Sequence, residues 1–475
     1  MNNTTNNTIA SRRAAPRHAL LALVSLLMSF QLLGQQAETE TEPAPSTETE
    51  QAQASGPLVL LYLDAPVDVF PGVDPDMPAP VVVVDPEDDP GFGQRLDSIR
   101  AYQLALEEIE LNGGVWDRQL IEELTALGSL QQQQGYHPDA IETFDRAIHV
   151  NRINAGLHTL EQIPAVEQLI ESYEALGDWE QADLYNNYLF YVQQKAYGPD
   201  DPRIIPVLDS LAKWNIRAFN IGYGDARGMR LSTAMILFNA AARMVSTHYG
   251  PNDGRYVGYM EDIANSAYLV AKNPQLMVEV GRPENRSMQQ LLRDKLNESG
   301  SALPAGYSAG ERALLTIIRH YSQREDSVPE LAEALANLGD WYLLFERRRR
   351  AITRYTQAWE ILSISENGEN QLQQLFAQVV PLPTFANQAV NFGRIDLAVK
   401  KDSGEHAFAT VDFVFDVTIN GTVRSIRMLT EQTSKNSTLL GRVRRQLRNS
   451  MFRPVIEEGR PVRTKGNHFR YRYWY

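Results

Sequence analysis

The stretch that decides the fold is ELAEALANLGDWYLLFERRRRAITRYTQAWEIL, residues 330–362. Apolar and small residues recur at helical spacing on both sides of the charged break ERRRRA (346–351), which predicts two helices joined by a solvated turn. Gly339 lies in the first of these helices and Ala351 in the second. Small side chains at these positions would let the two helices approach closely, while larger residues fill the space between them.

The same pattern occurs earlier in the chain. Gly128 and Ala140 repeat the spacing of Gly339 and Ala351, and the turn residues Gly135 and Gly177 begin equivalent segments of successive units. We count five such units between about 117 and 365, preceded by a helix near 93–111. A Gly-rich insertion at 220–229 falls in the third unit, and a longer one at about 273–310 interrupts the fourth.

This spacing resembles tetratricopeptide repeats, whose helix pairs stack into an α-solenoid. The offset from Gly135 to Gly177 exceeds the usual repeat length of about 34 residues, and it is similar to the extended repeats of the kinesin light chain type. The resemblance covers 93–378 and implies a mainly α fold with a concave groove for peptides or partner helices. The residues expected to line the groove lie on the first helices: Glu122, Thr125, Ser129, Glu333, Ala336 and Asp340.

Near the C-terminus the hydrophobic period changes from helical to two. The stretch FATVDFVFDV predicts a strand with one buried face, formed by Val411, Phe413, Phe415 and Val417. Asn420-Gly421 predicts a two-residue hairpin turn, because both positions of that turn require positive φ. A return strand is expected at 422–429, followed by an amphipathic Arg-rich helix at 437–450 and an alternating aromatic strand at 468–475. The predicted order is therefore β-β-α-β, a small α+β domain.

This order, with its connecting segment MFRPVIEEGRPV (451–462), resembles the C-terminal domain of the TonB energy-transducer family over about 390–475. The residues that match the family pattern are Phe452, Pro454, Gly459, Pro461 and Val462. On this interpretation Phe452 packs the helix onto the sheet, Pro454 ends the helix, and Glu458 with Gly459 turns the chain. The resemblance implies a periplasmic binding module.

Members of that family use the edge of their final strand to pair with a short segment of an outer-membrane receptor, a form of β-strand addition. The resemblance therefore implies binding through one strand edge, formed by Asn467, Phe469, Arg470, Tyr471, Arg472 and Tyr473. A second copy of the chain is the alternative partner for this edge, which would give a homodimer.

The N-terminal region predicts export. Residues 1–34 contain a cationic start and an apolar run at 19–33. That run is shorter than the roughly 20 residues that a membrane-spanning helix needs, and it suits a signal peptide. We expect a cleaved signal and a periplasmic protein; the alternative is an uncleaved inner-membrane anchor.

Residues 35–92 are acidic and rich in Pro, Glu and Thr, which predicts a solvated linker. Its apolar runs at 57–66 and 78–91 are bounded by Pro and suit docking segments or edge strands.

Composition excludes several classes of function. The chain has no Cys, which rules out a thiol nucleophile, a Cys metal site, a disulfide and an acylated lipoprotein anchor. The net charge is −14, but 16 Lys and Arg stand against 8 Asp and Glu from Arg394 onward, so the rest carries −22. Nucleic-acid binding requires a broad cationic face and is not expected.

Motifs that could carry chemistry have simpler structural interpretations. GYSAG (306–310) matches the nucleophile elbow of serine hydrolases, but a loop precedes it where the elbow needs a strand. Ser308 with Glu311 instead predicts a capping box at a helix start. GYGDARG (222–228) lacks dinucleotide-binding spacing and predicts an inter-helix loop. DPEDDP (85–90) and the eight His lack metal-ligand spacing. We therefore expect no enzyme, cofactor or metal site.

Three functions follow from these observations. The first is an adaptor whose groove and strand edge bind different proteins of the cell envelope. The second is a TonB-type component that assists energy-coupled transport through an outer-membrane receptor, which an anchored N-terminus would favour. The third is a hydrolase built on Ser308, for which the sequence supplies no base or oxyanion partner. The adaptor is the function that we expect.

Overall fold

The structure is a computed structural model that describes residues 90–384 and 408–474, apart from 225, 297–305, 325, 367 and 430–436, together with Val67 and Asp68. The signal predicted at 1–34 and nearly all of the linker predicted at 35–92 lie outside the described residues. The described residues belong to one compact unit, Leu60–Tyr475. Within them the chain is mainly helical with small strands, as the sequence predicts.

Helices occupy most of the chain from Phe92 to Phe376. In chain order they are α1 Phe92–Gly113, α2 Leu120–Gln133, α3 His137–Ala155, α4 Ile163–Leu176, α5 Trp179–Tyr197, α6 Ile205–Ile221, α7 Arg227–His248, α8 Gly254–Lys272, α9 Met277–Val280, α10 Pro283–Lys295, α11 Gly306–Ser322, α12 Val328–Leu344, α13 Arg348–Ser363 and α14 Gly368–Phe376. A further helix, α15 Ser437–Asn449, lies among the C-terminal strands. It ends before Pro454, so the prediction that Pro454 ends it is wrong.

Local signals explain where several helices begin and end. Asp178 and Asp253 precede α5 and α8, and each side chain accepts a hydrogen bond from a backbone N–H of the first turn. Gly177 and Gly222 follow α4 and α6 with φ of 72° and 77°. This left-handed conformation is one that glycine adopts without strain. Gly222 opens the GYGDARG segment, which begins between α6 and α7 as predicted, while its last two residues, Arg227 and Gly228, already belong to α7.

Helices that follow one another pack together as hairpins. α2 packs on α3, α4 on α5, α6 on α7, and α12 on α13. α8 packs instead on α11, because α9 and α10 intervene in the chain and contact α7. The insertion expected at about 273–310 corresponds to this interruption.

Two glycines lie where paired helices touch, as their spacing from the following Ala predicts. A Cβ atom on Gly128 would lie 2.6 Å from the ring of Phe144, and one on Gly339 would overlap the ring of Tyr355. Real Cβ atoms do not approach ring carbons so closely, so a larger side chain would force the helices apart. The repeated Gly therefore sets the distance between α2 and α3 and between α12 and α13.

The strands are short except for two. They are β1 Val67–Asp68, β2 Val380–Pro381, β3 Phe408–Val417, β4 Val423–Met428, β5 Phe452–Arg453, β6 Ile456–Glu457, β7 Arg460–Pro461 and β8 Thr464–Trp474. The main sheet has the order β1-β8-β3-β4, with each neighbouring pair antiparallel. β2 pairs with β5, and β6 with β7, in two further small sheets.

One face of β3 forms a separate core. Its four alternating apolar residues are fully buried, as predicted: Val411, Phe413, Phe415 and Val417. The ring of Phe452 lies with its centroid 5.2 Å from that of Phe415 and 5.8 Å from that of Phe469. Leu440 and Leu447 of α15 belong to the same core. Phe452 thus packs between sheet and helix as the sequence predicts.

The hairpin turns differ from the sequence prediction. Gly421 has φ of 72°, but Asn420 does not share the positive φ of a two-residue turn. The backbone N–H of Gly421 donates to Thr418 O at 2.8 Å, and the Thr418 hydroxyl accepts a hydrogen bond from the backbone N–H of Asn420. The predicted two-residue turn is wrong, because Thr418 supports a longer turn that ends in a left-handed glycine. A two-residue turn with positive φ occurs instead at Glu458 (50°) and Gly459 (75°), between β6 and β7.

Replacing Gly339 with Ala should destabilise the protein by about 1–3 kcal/mol, because the new methyl group would overlap the Tyr355 ring. The matched control is Gly258→Ala in α8, where nothing lies within 4 Å of the added Cβ. That control should gain up to ~1 kcal/mol through helix propensity. Urea unfolding followed by circular dichroism measures both. Equal effects of the two substitutions would contradict the close packing at Gly339.

Candidate partner-binding surfaces

The groove residues predicted on α12 do not share one environment. Ala336 and Asp340 are fully buried, so the prediction that they line an open groove is wrong. Asp340 is covered by Arg453 of the C-terminal strands, a contact that the repeat pattern alone does not reveal. Glu333 is exposed, as a groove residue must be.

The predicted groove residues of α2 remain partly accessible. Glu122 is exposed, whereas Thr125 and Ser129 are half-buried. The two hydroxyls donate to backbone carbonyls one turn earlier, at 2.7 and 3.0 Å. Such hydroxyls still offer acceptor lone pairs to a ligand. Among the six predicted residues, Glu122 and Glu333 are therefore the ones that present an exposed charge.

Asp340 forms a buried ion pair with Arg453 of β5. Arg453 Nε donates to Asp340 Oδ1 at 2.9 Å and Nη2 to Oδ2 at 2.5 Å, a two-point contact. The side chain of Arg453 is 4% exposed and that of Asp340 is 0% exposed, so water does not screen the pair. Arg453 Nη1 also donates to the carbonyl of Leu375 at 3.2 Å. This pair links the last helical hairpin to the C-terminal strands.

Two hydroxyl groups also donate hydrogen bonds to the Asp340 carboxylate. Tyr355 of α13 donates its hydroxyl to Oδ1 at 2.8 Å, and the Thr384 hydroxyl lies 2.6 Å from Oδ2. Burial, and then the adjacent carboxylate, raise the pKa of Tyr355 well above 10, so its hydroxyl stays protonated. The carboxylate thus has a donor on each oxygen in addition to Arg453. No sequence spacing signals this cluster, since Asp340 and Arg453 are 113 residues apart.

The same junction contains contacts that do not involve charge. Val380–Pro381 pairs with Phe452–Arg453, and Leu382 N–H donates to Met451 O at 2.9 Å. The Thr356 hydroxyl of α13 donates to Gly459 O at 2.7 Å. Helices α12 and α13 are thereby joined to the segment that precedes β8, which carries the predicted strand edge.

All six residues of that predicted edge lie in β8, but their side chains and backbone play different parts. β8 pairs with β3 along its length, with Asn467 opposite Phe415 and Phe469 opposite Phe413. Phe469 is 2% exposed and belongs to the strand core, so its side chain cannot contact a partner as predicted. Asn467 Nδ2 donates to Phe415 O at 3.1 Å, within the sheet. At these two positions a partner strand would meet mainly the β8 backbone, and the side chains of Arg470, Tyr471, Arg472 and Tyr473 lie outside what the structure describes.

The outer edge of β8 is also partly occupied. Val67 lies opposite Arg470, and Asp68 lies opposite Phe469, in an antiparallel pairing of β1 with β8. β1 has two residues and β8 has eleven, so β1 covers a small part of the edge. The apolar runs at 57–66 and 78–91, which suit docking segments or edge strands, lie on either side of these two residues and do not include them.

An acidic face formed by α6, α8 and α12 surrounds the exposed Glu333. Burial raises the pKa of Asp262 to about 7; Lys213 opposes this shift, and the carboxylates of Asp209 and Glu261 reinforce it. Burial also raises the pKa of Glu261, and Glu333 adds to the effect. Asp262 therefore takes up a proton near neutral pH.

A cationic surface lies at the opposite edge of the sheet. Arg424 and Arg427 of β4, with Arg444 and Arg448 of α15, line a shallow cavity of about 430 Å³. These groups have no ion-pair partner among the residues that the structure describes. Ser425 has φ of 54°. It forms a bulge that puts Arg424 and Arg427 on the same face of β4. The surface suits a carboxylate or phosphate group.

The GYSAG motif forms the first turns of α11. The helix begins at Gly306, so the prediction that Ser308 caps it is wrong. Glu311 accepts a hydrogen bond from the Tyr342 hydroxyl at 2.8 Å rather than completing a capping box. A Cβ on Gly310 would overlap the ring of Trp341 in α12. The glycines of this motif therefore serve helix packing.

Two other kinds of site are absent from the part of the chain that the structure describes. No group of three or more His, Asp or Glu residues there is placed to hold a metal ion. No helix there has the length and apolar character needed to cross a membrane. Of the ERRRRA segment, Glu346 and Arg347 lie between α12 and α13, whereas residues 348–351 form the first turn of α13, so the prediction that the whole segment is a turn is wrong. Arg350 pairs with Glu311 at 3.1 Å, an exposed contact of small energetic weight.

Comparisons with known proteins give little further information. No protein-family description matches the chain, and no curated protein matches it. Among solved structures, BtubC (BKLC) from P. vanneervenii is similar over 58% of this chain and 92% of its own, with 11% identity and a TM-score of 0.35. A likeness at that level does not establish a shared fold.

Substitution of Arg453 by Met should destabilise the protein by about 3–5 kcal/mol, because the Asp340 carboxylate would stay buried without its cation. The control is Arg463→Met, which removes an exposed ion pair with Asp416 and should cost at most about 1 kcal/mol. Chemical unfolding of the full chain measures both. Similar losses in the two variants would show that the Asp340–Arg453 pair does not hold the junction.

The raised pKa of Asp262 predicts a dependence of stability on pH. A folded-state pKa of about 7, above the ordinary 3.8, stabilises the fold at low pH. That contribution is lost as the pH rises through the folded-state pKa. The free energy of unfolding of Asp262→Asn, relative to that of wild type, should therefore rise by on the order of 1–2 kcal/mol as the pH increases from 5 to 8.

The control for this pH dependence is Asp253→Asn. The Arg255 side chain lowers the pKa of Asp253 to about 2, outside the range in which Asp262 titrates. Urea unfolding at several pH values measures both variants. A pH-independent difference between Asp262→Asn and wild type would contradict the shift.

Proposed function

We propose that this protein is an exported periplasmic adaptor. In this proposal tetratricopeptide-like repeats form one protein-binding surface, and a TonB-like C-terminal domain forms another. The chain has no catalytic role, cofactor or metal in this proposal, and its partners are other proteins of the cell envelope. The signal that would direct export, at 1–34, lies outside the described residues.

The helical region supports the repeat interpretation through its contacts. Successive hairpins pack side by side, and glycine meets an aromatic ring at equivalent positions in two of them, Gly128 with Phe144 and Gly339 with Tyr355. Equivalent close contacts in separate hairpins are what a repeated sequence motif requires. The acidic face around Glu333 and Asp262 favours a groove partner that carries Lys or Arg.

The C-terminal region supports the TonB-like interpretation through its order of elements. β3, β4, α15 and β8 follow the predicted β-β-α-β order, and Phe452 lies in the aromatic core between Phe415 and Phe469. Gly459 occupies the turn between β6 and β7, where a left-handed residue is needed. Phe452 and Gly459 are two of the residues that carry the resemblance to the TonB family.

The observation that carries the proposal is the outer edge of β8. This strand has eleven residues, and β1 pairs with two of them. Among the residues that the structure describes, the rest of the outer edge has no strand partner, so its backbone groups are available for β-strand addition. An extended segment of another protein would bind there antiparallel or parallel to β8 by main-chain hydrogen bonds.

A photo-crosslinking amino acid at position 471 tests the proposal in cells. We expect adducts with one or more envelope proteins, identified by mass spectrometry, that do not form from position 427 on the opposite sheet edge. Position 427 is the matched control because β4 lies on the far side of β3. Absence of any adduct specific to position 471 would contradict partner binding at β8.

The identity of the captured protein separates the adaptor from its alternative. Soluble envelope proteins would support the adaptor. An outer-membrane receptor barrel would instead favour a TonB-type component that assists energy-coupled transport. Capture of a second copy alone would make the β8 edge a homodimer interface and would contradict the adaptor.

A further inference from the structure

The outer edge of β8 already has an occupant from the same chain. Val67 and Asp68 pair with Arg470 and Phe469, near the middle of the eleven-residue strand. A partner strand that used more than a few residues of this edge would have to share these two positions. The internal strand and an external strand therefore exclude each other along the centre of β8.

The sequence limits how strongly the internal strand can bind. Pro66 and Pro71 flank the stretch VDVF and supply no backbone N–H. The paired residues can contribute only one or two main-chain hydrogen bonds, each with a net value of about 0.5–1.5 kcal/mol. Tethering offsets this weakness, because β1 belongs to the same chain as β8 and its pairing is therefore an intramolecular event.

We propose that Val67–Asp68 is a built-in competitor that keeps the β8 edge covered until a longer strand displaces it. The chain loses little when β1 is released, so a partner that pairs along more of β8 gains more hydrogen bonds than the internal strand loses. A short or low-affinity segment cannot displace it. This inference rests on the proposed binding at the β8 edge, and it adds a minimum length and affinity that a partner strand must have to displace β1.

The absence of cysteine allows a direct test of the internal pairing. In the full chain carrying Val67→Cys and Arg470→Cys, the two cysteines would occupy positions that lie opposite each other. Directly opposed residues of antiparallel strands have Cα atoms about 5 Å apart, within the range of a disulfide. Mild oxidation should give an intramolecular disulfide, seen as a monomer with altered mobility on a non-reducing gel.

The control pair is Val67→Cys with Arg427→Cys. β4 is separated from β1 by β8 and β3. Strand spacing places these two positions about 14 Å apart or more, beyond the reach of a disulfide. A disulfide that forms no faster in the Val67–Arg470 pair than in this control would overturn the internal pairing, and so would a disulfide-linked dimer.

Competition is tested by combining the Val67–Arg470 cysteine pair with the crosslinker at position 471. Oxidation should reduce adducts to the level seen from position 427, and a reductant should restore them. Val67→Pro, which removes a backbone donor from β1, should increase adducts relative to Thr39→Pro in the linker. Unchanged adducts in the oxidised protein would overturn the competition.

Failure of the proposed function is distinguishable from failure of this inference. If position 471 captures nothing in any form, partner binding at β8 is wrong, and hydrogen exchange decides the internal pairing without a partner. Amides of β8 should then exchange faster in Val67→Pro than in Thr39→Pro, because β1 no longer protects the edge. Equal exchange in the two variants would overturn the inference.

Discussion

One buried ion pair, Asp340 with Arg453, constrains most strongly how the helices and the C-terminal strands meet. Removing both charges from water costs several kcal/mol per ion, and only complete hydrogen bonding offsets that cost. The donors to the carboxylate come from separate segments: Tyr355 lies in α13, Thr384 follows β2, and Arg453 lies in β5. The charge is satisfied only when all of these segments are in place, so an arrangement that separates them leaves a buried charge unpaired.

The two edges of the main sheet avoid unwanted pairing in different ways. At β4, a bulge at Ser425 and the exposed Arg424 and Arg427 make the edge irregular and charged, which discourages association with another strand. At β8, two residues of the same chain cover the centre of the edge instead. A covered edge can be uncovered, whereas a charged and bulged edge cannot easily become regular. This difference favours β8 over β4 as the edge that binds a partner.

The parts of the fold that depend on local pattern were predictable, and those that depend on distant contacts were not. The alternation of Val411 to Val417 and the spacing of Gly339 from Ala351 are set by the periods of strand and helix, so sequence reveals them. Burial of Asp340 depends on a residue more than a hundred positions away, and no period reports such a contact. The groove prediction failed there for that reason, and β1, with two residues, is too short to show any period.

The two residues of β5, Phe452 and Arg453, contact different parts of the protein. Successive side chains of a strand point to opposite sides, so Phe452 and Arg453 enter different environments. Phe452 packs with the aromatic rings of β3 and β8, and Arg453 reaches Asp340 among the helices. β8 pairs with β3, and Phe452 packs on both strands. Two adjacent residues of β5 therefore join the core of the β3–β8 sheet to the buried carboxylate of α12.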